Sequence, residues 1–293
     1  MAGDQVRQIR SFNRAVTQTV GALEESYLDR GRPLGEARLL FEIGREEADA
    51  RRLRERLGLD SGYLSRLLRS LKAQGLAKVN GAPEDRRLRR VRLTDKGLAE
   101  LAAYDRLSDR LAASILARLA AGQRARLVAA MGEVERLLNA ASVQFASASP
   151  ATVEAQACLK KYYGELAERF ERGFDPAQEG AAWAGDLAPP RGFFVIARLH
   201  GMAIGCGGMR RVGPTSGEIK RVWIAREMRG LNLATRLIAE LEAQARALGL
   251  TMLRLDTNRA LTEAHALYSK LGYRNVARFN ANPYADHWFE KRL

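Results

Sequence analysis

Residues 57–68 read LGLDSGYLSRLL, and this stretch predicts a tight turn followed by a helix. Gly58-Leu59 supplies the turn, and either Asp60 or Ser61 is a good residue to cap the helix N-terminus, because its side-chain oxygen can accept a free backbone N–H. Positions that follow the i, i+3, i+4, i+7 spacing of a buried helix face are Leu64, Leu67, Leu68 and Leu71. Gly75 is placed to end the helix in a left-handed conformation.

Other helices and two short strands surround this stretch. Three predicted helices precede or adjoin it, at 5–28, 34–46 and 50–56, and two long ones follow, at 94–120 and 122–138. Between them, 76–79 and 88–94 alternate like short strands around the turn-rich segment 80–85. This order of elements is that of a winged helix-turn-helix protein: two helices, a turn, a further helix, a pair of strands and then long helices.

The face opposite the leucines is short, polar and basic. From Arg51 to Arg92 the chain has thirteen basic and four acidic side chains, a net charge of +9 out of +14 for all 293 residues. A dense basic patch is typical of proteins that bind the phosphate backbone of double-stranded DNA, although a solvated charged face has the same composition. The residues predicted to contact DNA are Ser61, Ser65, Arg66, Arg69 and Lys72 on the helix, with Arg86 and Arg87 on the wing. The alternative interpretation of Arg66 is a salt bridge within its own domain.

Residues about 12–138 resemble a MarR-family regulator. The motifs that carry the resemblance are 57–68, the PEDRR segment 83–87, and VRLTDKG at 91–97. The resemblance implies a homodimer that presents two recognition helices to a pseudo-palindromic DNA site, and an effector pocket beside the dimer interface.

The second half of the chain has a different pattern. Small residues and Pro150 in the segment 139–152 predict a linker, after which helices alternate with short strands in an α/β pattern. We therefore expect two domains, 1–145 and 152–293. No apolar run approaches the roughly 20 residues of a membrane span. Because the N-terminus lacks the pattern of a signal peptide and only two cysteines occur, we expect a cytoplasmic protein without a disulfide framework.

A strand at 218–224 leads into the turn RGLNLA at 229–234 and then a helix. A small-residue turn at a helix N-terminus is an anion site, because free N–H groups and the helix dipole point toward a phosphate. Residues about 152–293 resemble the GNAT acetyltransferase superfamily, whose pyrophosphate motif is Arg/Gln-x-x-Gly-x-Gly/Ala. LDTN at 255–258 and AHALYSKLGY at 264–273 match later motifs of that superfamily.

The resemblance implies acetyl-CoA as co-substrate, an amine as acceptor, and a mixed sheet. It assigns the pantetheine arm to backbone groups of Val222, Trp223 and Ile224 and to the side chain of Asn258. It assigns the pyrophosphate to the backbone N–H groups of the turn, namely Arg229, Gly230, Leu231, Asn232, Leu233 and Ala234. Asn232 stands where the motif has its central glycine, and asparagine is the residue best suited to replace glycine at positive φ.

Two side chains are candidate catalytic groups by the same resemblance. Tyr268 stands where many members carry the general acid for the coenzyme A sulfur, or else packs its ring on the sheet. Glu218 aligns with a base that often acts through water, or else pairs with Lys220 or Arg221. The C-terminal residues Asn280, Asn282, Tyr284, His287 and Trp288 are candidates for an acceptor pocket, while Trp288 and Phe289 equally suit a core strand. The spacing of the three histidines predicts no metal site.

Three functions fit these patterns. The leading one is a dual protein, a dimeric DNA-binding regulator that also acetylates an amine of a small molecule or protein. In the second, the C-terminal domain senses acetyl-CoA without turnover. In the third, the chain is an enzyme whose winged helix only dimerises, although a dimerisation module does not need a charge of +9.

Overall fold

A computed structural model of the chain describes residues 2–81, 89–179 and 183–293. The chain divides into two compact units, Met1–Ala129 and Ala130–Leu293. Within the described residues, no helix combines the length and the apolar character that crossing a membrane requires.

The first unit is mainly helical, with a small sheet. Its helices are α1 (Ala2–Thr19), α2 (Leu34–Ile43), α3 (Ala50–Leu57), α4 (Ser61–Ala73), α5 (Asp95–Ala117) and the first part of α6 (Ala121–Ser142). Its strands are β1 (Ala48–Asp49), β2 (Ala77–Gly81) and β3 (Arg89–Leu93), in the antiparallel order β1-β3-β2. This arrangement confirms the predicted winged helix-turn-helix.

Side-chain caps set the start of each helix around the turn. The Asp49 carboxylate accepts the backbone N–H groups of Arg51 and Arg52, and Asp60 accepts that of Tyr63 at 2.8 Å. Gly58 has a φ of +63° and ends α3, and Gly75 at +70° ends α4. All four leucines of the predicted stripe on α4 are buried in the core of this unit.

Two helices are shorter than the sequence predicts. The helix predicted at 5–28 ends at Thr19, because Gly21 adopts a φ of +65° and the chain then forms turns and a short 3₁₀ helix at Tyr27–Asp29. The helix predicted at 34–46 ends at Ile43, before Gly44 at a φ of +68°. The predicted wing residues Arg86 and Arg87 lie outside the described residues.

The second unit contains a mixed sheet with helices packed on it. The strands are β4 (Gln144–Ala148), β5 (Gly192–Leu199), β6 (Met202–Arg211), β7 (Ser216–Ile224), β8 (Met252–Thr257), β9 (Arg274–Val276) and β10 (His287–Arg292). Besides the end of α6, the helices are α7 (Val153–Arg169), α8 (Trp183–Asp186), α9 (Leu233–Ala247) and α10 (Thr262–Lys270). Among described residues the strand order is β4-β5-β6-β7-β8-β10-β9, and only β7 and β8 pair in parallel. The predicted α/β mixed sheet is confirmed.

The predicted linker at 139–152 is wrong for its central residues. Gln144–Ala148 form β4, which pairs with β5 along its whole length. Arg236 of α9 also holds the preceding turn, donating to the carbonyl oxygens of Ala140 at 2.6 Å and Val143 at 2.8 Å. Small residues favour a linker by composition, but here they form the edge strand of a sheet. The domain bounds 1–145 and 152–293 stay a prediction.

We predict that Gly97→Ala destabilises the first unit. A Cβ at Gly97, in the first turn of α5, would lie 2.0 Å from the carbonyl oxygen of Leu76, so backbone must move. The expected loss in the free energy of unfolding is about 2 kcal/mol or more. The control Gly122→Ala, in the first turn of α6, meets nothing within 4 Å and should be neutral or slightly stabilising. Urea unfolding followed by circular dichroism measures both, and equal stabilities would contradict the packing described here.

Candidate functional site

The exposed face of α4 carries the predicted DNA-contacting residues. Ser61, Arg66, Arg69 and Lys72 are exposed and Ser65 is half-buried, opposite the buried leucines. The helix is held from behind by Glu36 of α2, whose carboxylate accepts hydrogen bonds from Ser70 at 2.6 Å and Gln74 at 2.8 Å. A rigidly seated helix with an outward polar and cationic face is the geometry that reads a DNA major groove.

Three arginines of the basic segment have acidic partners in the described residues. Arg56 pairs with Glu42, Arg51 with Glu55, and Arg90 with Glu47. Within the described residues, Arg66, Arg69 and Lys72 form no ion pair, so the salt bridge considered for Arg66 is absent there. The Arg66 guanidinium instead lies 5.5 Å from the centre of the Tyr63 ring. The three cations of α4 therefore keep their charge uncompensated within the described residues.

In the second unit, β7 and β8 part after a short paired segment. Their register covers only three pairs, from Ser216 with Met252 to Glu218 with Arg254, while both strands continue. A β-bulge accompanies the parting, because the pairing of β7 with β6 shifts between Cys206 and Gly208 and Arg221 adopts a φ of +62°. The backbone of Val222, Trp223 and Ile224 therefore has no β8 partner on its open side.

The turn after β7 presents free backbone donors. Gly230 has a φ of +79° and Asn232 a φ of +59°, so the left-handed conformation foreseen for Asn232 is present. In the described part of the chain, the N–H groups of residues 230–235 donate no hydrogen bond, and α9 begins at Leu233. Arg229 differs from the prediction, because its N–H donates to the carbonyl oxygen of Arg226 at 3.2 Å. The run of free N–H donors thus starts at Gly230.

Glu165 of α7 holds both β7 and the turn that follows it. No sequence pattern predicted this role. Its carboxylate accepts Trp223 Nε1 at 2.9 Å and an Arg229 guanidinium nitrogen at 2.6 Å. Burial opposes its ionisation, but the hydrogen bonds from Arg229 and Trp223, the positive charge of Arg229 and a hydrogen bond from Arg169 together lower its pKa. The Arg229 Nε also donates to the Ile224 carbonyl oxygen at 3.0 Å. No local motif signals this role, because the partners lie about 60 residues away in the sequence.

The space between the parted strands is a cleft, with an empty volume of about 590 Å³ that includes its open mouth. Of the predicted site residues, Val222, Asn258 and Tyr268 lie together in its lining, with Asn282 and Tyr284 from the C-terminal segment. The turn at 230–234 follows the end of β7 and lies outside the lining. The chain thus passes from the cleft-lining residues of β7 to the end of that strand and then into the turn.

Tyr268 of α10 lies at the cleft with its ring in the core. The residue is 6% exposed, and its hydroxyl makes no hydrogen bond to a described residue. Burial and then the negative charge of Asp256 raise the pKa of Tyr268, so the phenol keeps its proton at neutral pH. The ring packs on the sheet beside Phe289, with centroids 6.0 Å apart, as one of the two interpretations expected. The residue also lines the cleft, and its role as general acid stays a prediction.

The side chain of Asn258 makes two hydrogen bonds within the protein. Its Nδ2 donates to the carbonyl oxygen of Tyr284 at 2.7 Å, and its Oδ1 accepts the N–H of Ala260 at 2.9 Å. The amide therefore ties the end of β8 to the C-terminal segment. Its predicted hydrogen bond to pantetheine requires sharing or replacing these contacts.

Glu218 does not lie in the cleft lining, and its surroundings disfavour the predicted role as base. It is 1% exposed and accepts hydrogen bonds from Arg210 at 2.8 Å and Asn280 at 3.0 Å, with Lys220 Nζ at 3.1 Å. The alternative of pairing with Lys220 is the one observed. Lys220 also contacts Asp256 at 2.5 Å, so these groups form one buried ionic cluster.

Aromatic rings from two segments wall the cleft. Phe170 and Phe174, at the end of α7 and just beyond it, lie 5.9 Å apart, and Tyr284 lies 6.0 Å from the first and 4.8 Å from the second. Trp288 lies in β10 as the core-strand alternative foresaw, and its Nε1 donates to Asn280 Oδ1 at 2.9 Å. The four-residue spacing of Phe170 and Phe174 was the available sequence signal for this wall, although both also fit an ordinary helix core.

Two of the three histidines of the second unit face each other rather than a ligand set. The rings of His265 and His287 lie 4.0 Å apart, edge to face. Across the described ranges no group of three or more histidine, cysteine and acidic side chains is arranged to hold a metal ion.

Comparison with known families gives two matches. Residues 30–88 match the model of the MarR family, and residues 157–273 match that of the acetyltransferase (GNAT) family. The first match contains α4, and the second contains β7, the turn, α9 and α10.

Curated proteins match each half. An uncharacterised N-acetyltransferase of Schizosaccharomyces pombe is 35% identical over 97 residues, 32% of this chain and 60% of that protein. An IAA acetyltransferase of Azospirillum brasilense is 35% identical over 94 residues, 32% of this chain and 61% of that protein. An uncharacterised HTH-type transcriptional regulator of Bacillus subtilis is 28% identical over 87 residues, 30% of this chain and 53% of that protein.

The chain thus spans about three fifths of the length of the first two relatives. The two matched stretches lie one in each unit. The first unit thus resembles the MarR family on a winged-helix fold, and the second resembles the acetyltransferase (GNAT) family on a mixed-sheet fold.

Proposed function

We propose that the protein is both a DNA-binding regulator and an acetyl-CoA-dependent N-acetyltransferase that acts on an amine. The observation that carries the enzymatic part is the parting of β7 and β8, beside free N–H groups at 230–235 and the phenol of Tyr268. The regulatory part rests on the MarR match and the unpaired cations of α4.

The donor set fits acetyl-CoA. Backbone N–H groups at the start of α9 suit a pyrophosphate, because they donate without competing partners and the helix dipole favours negative charge. The open edge of β7 at Val222–Ile224 offers backbone groups to the amides of a pantetheine arm, as a further strand would. Asn232 at positive φ keeps the turn in the shape that a glycine would otherwise provide.

In the proposed reaction, acetyl-CoA supplies an activated thioester to a neutral amine. A bond forms between the amine nitrogen and the acetyl carbon, and the bond from that carbon to sulfur breaks. Tyr268 donates its proton to the leaving sulfur and is reprotonated by the proton that the nitrogen loses. A phenol whose pKa is raised by burial holds that proton ready throughout the neutral range.

The regulatory half is proposed to act as a homodimer on double-stranded DNA. An apolar face of α1 supports a partner surface, because Val6, Ile9 and Phe12 are between 41% and 60% exposed. Two copies would present two α4 helices to a site with two-fold symmetry. The cytoplasmic location stays a prediction.

A second candidate is a regulator that binds acetyl-CoA without turnover. One observation favours it: the carboxylate of Glu218 is buried and fully engaged, so the predicted base is not available. Both candidates require acetyl-CoA binding, and only the first requires transfer.

We predict that Tyr268→Phe lowers kcat at least about 100-fold, because a general acid contributes on the order of 10²–10⁴ in rate. The change in acetyl-CoA affinity should stay within about twofold, since only the hydroxyl is removed. Release of coenzyme A with a panel of amines gives kcat, and calorimetry gives the dissociation constant. Wild-type protein that binds acetyl-CoA and releases no coenzyme A with any amine would support the sensor instead.

Asn232→Val should weaken acetyl-CoA binding about tenfold, whereas Asn232→Gly should leave it nearly unchanged. A β-branched residue at a φ of +59° costs roughly 1–2 kcal/mol, so the turn relaxes and its N–H groups no longer converge. Glycine adopts this φ freely and is the matched control. Equal dissociation constants for the two variants in calorimetry would argue against pyrophosphate binding at this turn.

For DNA, we predict that Arg66→Ala and Arg69→Ala each weaken binding about tenfold and reduce the dependence on salt. The probe is a duplex from upstream of the protein's own gene, with a shuffled duplex for comparison, in retardation assays at several salt concentrations. Arg38→Ala is the control, because Arg38 is exposed on α2 and paired with Glu42. Equal losses in all three variants, or no preference of the wild type for its own upstream duplex, would contradict sequence-specific recognition by α4.

A further inference from the structure

The end of α6 is fixed beside the start of α9 in the second unit. Ala140 of α6 is 7% exposed and belongs to the core of that unit. Arg236, in the first turn of α9, donates to the carbonyl oxygens of Ala140 at 2.6 Å and Val143 at 2.8 Å. Asn139 adds a contact of 3.3 Å between its Oδ1 and His200 Nε2. The C-terminal end of α6 is therefore held by contacts with two other segments of this unit.

This position brings Arg136 next to the turn that follows β7. Arg136 precedes Ala140 by four residues, so both side chains lie on the same face of α6. Arg136 Nη2 lies 3.9 Å from the point at which a Cβ would stand on Gly230. Among the described residues, nothing else outside the chain neighbours of Gly230 comes within 4 Å of that point. The guanidinium group and the turn therefore border the same open space.

The charge beside the turn favours an anionic ligand. Within the described residues Arg136 forms its one ion pair with Glu133, at 3.9 Å, and both side chains are more than half exposed. A long and hydrated ion pair contributes little free energy, so another anion can replace the Glu133 carboxylate. A phosphate at the turn gains more, because it accepts a bidentate guanidinium and backbone N–H groups at the same time.

We propose that Arg136 binds a phosphate group of acetyl-CoA, together with the backbone N–H groups that begin at Gly230. This inference rests on the proposed function, through acetyl-CoA binding at the turn. It adds a binding side chain from outside both matched stretches, 30–88 and 157–273. Coenzyme A carries a pyrophosphate and a 3′-phosphate, and a guanidinium recognises either group by the same chemistry. Glu133 releases Arg136 when the phosphate binds.

Calorimetric titration of the full-length protein with coenzyme A tests the contact without requiring turnover. Arg136→Gln should weaken binding about five- to tenfold, because it removes one charge-assisted contact. Arg136→Lys should keep part of the affinity, since an ammonium group retains the charge and loses the bidentate geometry. The affinity of Arg136→Gln should also depend less on salt, because screening weakens a contact between exposed charges.

Two control variants separate this contact from a general effect of charge. Arg246, near the other end of α9, is an exposed arginine whose ion pair with Glu242 spans 3.4 Å. It lies about 20 Å along that helix from the turn, so Arg246→Gln should leave binding unchanged. Glu133→Gln removes the competing carboxylate and should strengthen binding about twofold, a gain that should largely disappear when Arg136→Gln is added. Circular dichroism verifies that each variant folds.

A second ligand, 3′-dephospho-coenzyme A, identifies the phosphate. A loss in Arg136→Gln that is equal for both ligands assigns Arg136 to the pyrophosphate, and a loss seen only with coenzyme A assigns it to the 3′-phosphate. Either result supports the inference.

The remaining outcomes separate this inference from the proposed function. Equal affinities of the wild type and Arg136→Gln, or an equal loss in Arg246→Gln, overturn the inference and leave the proposed function intact. Binding that depends on Arg136, without release of coenzyme A from acetyl-CoA with any amine, keeps the inference and overturns the transferase. Wild-type protein that binds neither ligand overturns both.

Discussion

The C-terminal unit depends on one interruption of hydrogen bonding: β7 and β8 pair at three positions and then part. A continuous parallel ladder would satisfy the backbone of both strands and leave no room between them. The bulge at Arg221 bends β7 and removes it from the ladder. The cleft, the open edge of Val222–Ile224 and the inward position of Arg221 all follow from that bend.

Keeping two strands apart costs backbone hydrogen bonds, so other contacts must hold the open shape. Glu165 does so from α7, by binding Trp223 on the strand and Arg229 at the turn with one carboxylate. The buried cluster of Arg210, Glu218, Lys220 and Asp256 does so from inside, because Lys220 of β7 joins Asp256 of β8 just beyond the last paired residues. A buried carboxylate left without its cationic partner is strongly unfavourable, which keeps these connections in place.

Local patterns predicted what local physics determines. The leucine stripe of α4, a helix cap at Asp60 or Ser61, and the suitability of Asn232 for a positive φ follow from local sequence. The structure shows the stripe, the cap at Asp60 and the positive φ. Residues 144–148 form a strand because they pair with β5, about 50 residues away in the sequence, and composition does not reveal that partner. Glu218 aligned with a catalytic base, yet its oxygens are occupied by Arg210 on the neighbouring strand β6 and by Asn280, which is distant in sequence. The helix predicted at 5–28 is wrong beyond Thr19, because Gly21 adopts a φ of +65° and ends it.

The position of β4 constrains how this chain can be divided. A fragment that starts at Thr152 would lack Gln144–Ala148, and its β5 would become an edge strand whose residues are almost all buried in the full chain. Exposed apolar edges pair with other molecules and promote aggregation. Because Arg236 also binds the carbonyl oxygens of Ala140 and Val143, a cut that preserves the second unit has to fall before Ala140. A recombination event would face the same restriction, so the end of α6 and β4 would have to be inherited together with the rest of the second unit.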